Sequence, residues 1–283
     1  MNEQACAPTR MIRAGANSAL SLPVAWAAVC GLLAGGAAAL SGLQALYSMA
    51  AWLVADIALG SVWAQLAALK AHEVTPFQET SDVQGCGWVL PYAEPGSRGR
   101  RLRVWVARHA SDRDWTLAAG LAVGAALLAL VVTTLLGPWP LLVAAIALVG
   151  IALGALLTRD PLACGDLGRG LQAAAAWLMV RVIVAPWQRW AWLPALCAGL
   201  WVWALPGMLR HNRAASWLAR AAYAAAVTLL LINRQAIAAT GVALAALGAE
   251  LALGRRPAAQ PIALQAPWLA SALLLALAGR YWG

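Results

Sequence analysis

Four charged residues fall inside apolar runs of this 283-residue chain, and any chemistry would be sought there first: Asp56, Arg181, Arg220 and Glu250. A charge held away from water is costly, so each needs a partner, a polar cavity or a function. Arg220 and Glu250 lie near the ends of their runs, and their long stems can carry the charge to the surface. Asp56 and Arg181 lie deeper, and a buried pairing of the two is the expectation. Its plainer role is to hold segments together, because one carboxylate with one guanidinium catalyses nothing.

Two basic groups lie outside the runs. Arg210, His211 and Arg213 are close enough in sequence to bind an anion directly. Arg98, Arg100, Arg101 and Arg103 sit in a polar stretch where they can contact lipid headgroups. All three histidines, His72, His109 and His211, fall in polar connections or at run ends, so no apolar run offers an axial imidazole to a haem or chlorophyll. The five cysteines are scattered at 6, 30, 86, 164 and 197, without the close spacing that holds zinc or exchanges disulfides. Zinc-hydrolase, phosphate-loop and serine-hydrolase motifs are absent. No catalytic or metal-ligating set is therefore expected.

The elements that would position these residues follow from composition. Hydrophobic residues make up 63% of the chain, charged residues 11%, and mean hydropathy is +0.72. Such a balance exceeds what a water-soluble core needs and makes the bilayer the expected solvent. Ala and Leu dominate while Phe occurs once, so the alternating pattern of a membrane barrel is missing and helices remain. Apolar runs predict spans near 18–40, 43–68, 115–136, 138–157, 170–188, 191–209, 215–232, 235–253 and 261–281. The seventh and eighth are separated only by Asn233, Arg234 and Gln235, which leaves a single broken hairpin open there.

The fold class is thus all-α: a polytopic transmembrane bundle of about nine helices. It divides into an N-terminal tail at 1–17 and one helical domain at 18–283, with a polar loop at about 69–114. Alternate connections carry sixteen of the twenty Lys and Arg residues on one side, among them Arg10, Arg13, Lys70, Arg98 to Arg113, Arg159, Arg169, Arg210, Arg213 and Arg255. The positive-inside rule then places the N-terminus and the long loop in the cytoplasm and the C-terminus on the far side of a cell inner (cytoplasmic) membrane. The net charge of +9 reads as topology, and no nucleic-acid partner is expected. Trp115, Trp139, Trp187, Trp190, Trp192, Trp217 and Trp282 fall near span ends, as interfacial anchors do. Gly31/Gly35, Gly120/Gly124 and Gly150/Gly154 have the small-xxx-small spacing that lets helix backbones approach closely. In the long loop, Leu102–His109 has the pattern of an amphipathic stretch lying at the headgroups.

Nine helices with an inside N-terminus, and larger cytoplasmic connections after the even-numbered spans, resemble the UbiA superfamily of intramembrane prenyltransferases. Two stretches add to the resemblance. Ala19-Leu-Ser-Leu-Pro-Val-Ala-Trp26 looks like the family's entry to its first helix, and Asp160-Pro-Leu-Ala-Cys-Gly-Asp-Leu-Gly-Arg169 looks like a Pro-Leu…Gly-Leu-Gly loop of its menaquinone and chlorophyll branches. The resemblance implies prenyl transfer from a diphosphate, with Mg²⁺ held by Asp-rich motifs at the cytoplasmic ends of the second and sixth helices. Here the second helix ends Leu59-Gly-Ser-Val-Trp-Ala-Gln-Leu-Ala-Ala-Leu-Lys70, with Asp56 alone and too deep. The sixth ends Pro206-Gly-Met-Leu-Arg-His-Asn-Arg213, with cations where acids would be needed to bridge the metal to phosphate.

The functional expectation is accordingly a non-catalytic, UbiA-like membrane subunit that contacts lipid, isoprenoid, quinone or pigment. Its partners would be membrane lipids and the other protein subunits of a larger assembly, energy-converting or photosynthetic. Two alternatives stay open. One is a diverged prenyltransferase that handles its diphosphate with Mg²⁺ or with the basic cluster at Arg210 and Arg213. The other is a transporter, for which Asp56 would be the working charge.

Overall fold

The structure, a computed structural model, describes residues 22–36, 40–74, 115–158, 161–188, 190–210, 212–254 and 261–280. These form nine helices and no strands: α1 (Leu22–Ala34), α2 (42–74), α3 (Trp115–Leu136), α4 (Pro138–Leu157), α5 (Pro161–Val184), α6 (Trp192–Leu209), α7 (Arg213–Ile232), α8 (Ala236–Gly254) and α9 (Pro261–Gly279). Among the described residues five helices are long and apolar enough to cross a membrane, namely α2, α3, α4, α5 and α7. The other four are apolar over shorter stretches. The chain is a multi-pass membrane protein, and the regular elements among its described residues are all helices.

Local signals explain most boundaries. Ser41 caps α2 and exchanges hydrogen bonds with Gln44, the reciprocal box that satisfies two free N–H groups at a helix start. Gly137 (φ 121°) is the single residue between α3 and α4, and Pro138 opens α4 where its missing N–H costs nothing. Asn212 caps α7 by accepting from Ala214 N at 2.9 Å. The α7–α8 turn is two full helix ends rather than one broken hairpin: Gln235 N reaches Leu230 O at 2.8 Å and Arg234 N reaches Leu231 O at 2.9 Å. This closure needs a left-handed residue, and Arg234 (φ 59°) takes that role.

Helix α5 runs through the middle, touching α1, α2, α4 and α6. On one side α2, α3 and α4 form a group against it. On the other, α6 to α9 pack in chain order and α9 returns to α1. In lipid there is little hydrophobic gain from joining two apolar helices, so association depends on close packing. Glycines supply it. A Cβ on Gly170 would lie 2.7 Å from Gly199 O, and one on Gly199 would lie 2.7 Å from Gly170 O, so only this pair lets α5 and α6 meet so closely. Gly31 abuts the backbone of Trp177, Gly35 abuts Val184, and Gly150 and Gly154 abut Leu171 and Leu167. Gly120 and Gly124, the third expected contact, face open space on α3.

Three boundaries differ from the sequence expectation by six residues or more, the first being that of α1, which ends at Ala34 and not near 40. Helix α5 begins at Pro161 and not near 170, so the Asp160–Arg169 stretch that resembles a loop is, from Pro161 on, the first turns of a helix. Gly165, Asp166, Gly168 and Arg169 lower its hydropathy, yet each glycine lies against Trp63 of α2. Helix α2 continues to Val74, six residues into the expected 69–114 loop. The rest of that loop, with Arg98, Arg100, Arg101, Arg103 and the Leu102–His109 stretch, lies outside the described residues. So do the 1–17 tail, Trp282 and His211.

Candidate functional site

A group of buried polar side chains lies at the α2–α5 contact. Between Val54 and Ala58 the α2 backbone widens into a π segment, in which Leu59 N bonds to Val54 O. One extra residue in a turn leaves carbonyls without their usual partners, and such bulges recur at functional sites. Gln172 of α5 fills the gap: its Nε2 donates to Ala55 O and Asp56 O, both at 3.1 Å. Its Oε1 accepts from Trp63 Nε1 at 2.6 Å. Gly60 leaves room for this amide, since a Cβ there would lie 2.6 Å from Gln172 Nε2. Arg169, one turn back on α5, holds its guanidinium 5.8 Å from the centroid of the Trp63 ring. Asp56 is 2% exposed at the centre of this arrangement.

Asp56 and Arg181 are not brought together. Arg181 is 4% exposed and donates from Nη1 to Pro186 O at 3.2 Å and from Nη2 to Gln188 Oε1 at 2.8 Å. It lies nine residues beyond Gln172, about 14 Å along α5, while Gln172 is the residue in contact with the Asp56 backbone. Arg181 therefore fastens the α5–α6 connection beside the C-terminal end of α5, where a cation is favoured by the helix dipole.

The basic cluster is likewise rearranged. Arg210 forms a salt bridge with Asp166 of α5 and donates from Nε to Pro206 O at 3.0 Å. Its charge is thus engaged by an acid and not held open for a phosphate. Arg213 is exposed at the first position of α7. Arg220 and Glu250 reach each other instead of snorkelling separately: Nε–Oε1 and Nη2–Oε2 are both 2.7 Å, a bidentate pair joining α7 to α8. The pair is on the outer surface, and the Arg220 guanidinium lies 5.4 Å from the Trp217 ring. Among the described residues no three of His, Cys, Asp and Glu are grouped to hold a metal ion.

Tryptophan divides into two populations. Trp139 and Trp187 stack at 4.8 Å with an 8° interplanar angle, and Trp190, Trp192 and Trp217 are exposed, as interfacial residues would be. Trp63, Trp177, Trp201 and Trp268 are buried in the bundle. Trp201, Tyr223 and Trp268 line a small, partly open cavity together with Leu205, Met208, Ala219 and Ala249. Sequence reasoning passed over these three aromatics, and Gln172 and Asp166 as well. Each is a polar or amphipathic residue on a helix face whose neighbour is set by another helix. No family model, curated protein or solved structure matches this chain. The UbiA resemblance accordingly rests on the sequence alone, and the Asp160–Arg169 stretch that it likens to a loop is helical from Pro161 on.

Proposed function

We propose that this chain is a non-catalytic subunit of a larger membrane assembly, with a UbiA-like helical bundle that contacts lipid, quinone or pigment. The observation that carries the reading is how the described intramembrane polar groups are used. Gln172 joins α5 to α2 and Trp63, Arg181 joins α5 to its following connection, Arg210 joins α6 to α5, and Arg220 joins α7 to α8. Groups engaged in holding helices together are poor acids, bases or anion binders. Positive-inside charge places the N-terminus in the cytoplasm and the C-terminus across a cell inner (cytoplasmic) membrane. The apolar outer faces of α3 and α4, where Val131, Leu135, Ile146 and Leu156 stand exposed, are available to lipid or to neighbouring subunits.

The test is extraction in mild detergent, followed by sizing, an absorbance spectrum and mass spectrometry of everything that migrates with the chain. Migration with a large pigmented or haem-containing assembly is the expected result. Migration alone, together with Mg²⁺-dependent turnover of a prenyl diphosphate, would overturn it in favour of the diverged enzyme. A transporter remains the second reading on one observation, the π segment around buried Asp56. Substrate-dependent flux in proteoliposomes that is abolished by Asp56→Asn in a folded protein would select it.

A further inference from the structure

The packed interior has a seam. One large apolar cluster contains Trp201, Tyr223, Ala249 and Trp268, while Ala204, Met208 and Ala219 form a second, separate cluster. The cavity lies where the two meet and is lined from both. It has room for little more than one water-sized group.

What distinguishes it from an ordinary packing defect is hydrogen bonding. Three buried indole N–H groups among the described residues have no acceptor, those of Trp52, Trp201 and Trp268, and the last two share this cavity. Trp201 is 2% exposed and Trp268 3%, so bulk water does not satisfy them. An indole nitrogen can only donate, and a buried donor without an acceptor is destabilising. Trp201 and Tyr223 are further held by ring contact, their centroids 4.9 Å apart at 40°. Two donors in a largely apolar cavity, whose Tyr223 hydroxyl is engaged with Ser271, call for a neutral acceptor, since a cation has nothing to offer them and an anion would be desolvated at great cost.

We propose that this cavity seats the carbonyl oxygen of a lipophilic molecule, with Trp201 and Trp268 donating to it. The cavity takes the oxygen, and the rest of the molecule lies outside in the acyl phase. The lining runs along α6 from Trp201, about 12 Å before its end, to Met208, next to its last residue, so a quinone-type carbonyl and a phospholipid ester carbonyl both come within reach and share the same recognition chemistry. The inference deepens the reading of the chain as a subunit that contacts a lipophile, and it rests on that reading.

The experiment uses the full chain, with ¹⁵N-labelled indoles, in nanodiscs of ether-linked phospholipid that carries no ester carbonyl. The indole resonances of Trp201 and Trp268 are assigned from Trp201→Phe and Trp268→Phe. Addition of decyl-benzoquinone is expected to shift both resonances, and each Phe variant to weaken quinone binding about 2- to 10-fold, the loss of one hydrogen bond. A shift on exchanging ether for ester phospholipid, and none with the quinone, would assign the same carbonyl site to lipid. Resonances unchanged in both arms would overturn the proposal and leave a trapped water as the acceptor. Co-migration with a large assembly is read separately, so loss of the site and loss of the subunit role are distinguishable.

Discussion

At Gln172 one neutral amide satisfies two carbonyls of the α2 π segment and the N–H of Trp63. Leucine there would leave all three buried groups without this partner in a medium with no water to replace it. Gln172→Leu is expected to lower stability by about 1–3 kcal/mol, measured by unfolding in mixed detergent micelles. Asp56 and Arg181 behave differently, because Arg181 bonds to Pro186 O and Gln188. Stability changes in an Asp56→Asn, Arg181→Met double-mutant cycle should add to within about 0.5 kcal/mol, as for separate sites. A larger coupling energy would restore the pairing that the sequence suggested. Both charges were legible as exceptional from their apolar surroundings. Their partners were not, since a bridge depends on the relative depth of two helices and hydropathy does not report it.

Among elements, α5 has the most to contact and the most irregular composition. Its first turns carry Gly165, Asp166, Gly168 and Arg169, and these read as a connection because hydropathy averages away the difference between a polar loop and a polar helix face. In the structure the glycines lie against Trp63 and Asp166 meets Arg210. Small-xxx-small spacing was equally ambiguous: Gly31/Gly35 and Gly150/Gly154 meet neighbours, while Gly120/Gly124 do not, and the pair that brings α5 closest to α6 is Gly170 with Gly199. Gly199→Leu should therefore abolish or strongly deplete folded protein, and Gly124→Leu should leave the monomer's melting temperature within a few degrees. Fluorescence-detected sizing against temperature checks both. Loss of the monomer fold in Gly124→Leu would mean that α3 packs on a neighbour along that face.

For the whole molecule, the expectation is an odd number of crossings with the N-terminus inside. In a cysteine-free background, Asn212→Cys at the α6–α7 turn should react with an impermeant maleimide only in inside-out vesicles. Asn233→Cys at the α7–α8 turn should react only in right-side-out cells. The reverse pattern, or labelling of both from one side, would invert the topology or remove a span. The stacked Trp139 and Trp187 fit this frame, since the α3–α4 and α5–α6 connections lie on one side of it. By itself the sequence determined the solvent, the helical class, the number of helices among the described residues and most of their ends, because apolar run length and caps are local properties. Only the tertiary structure decided which charges pair, which glycines are contacts, and that Trp201 and Trp268 share a cavity. Those outcomes depend on the depth and rotation of one helix against another, set by close packing over many residues and carried by no single stretch of the chain.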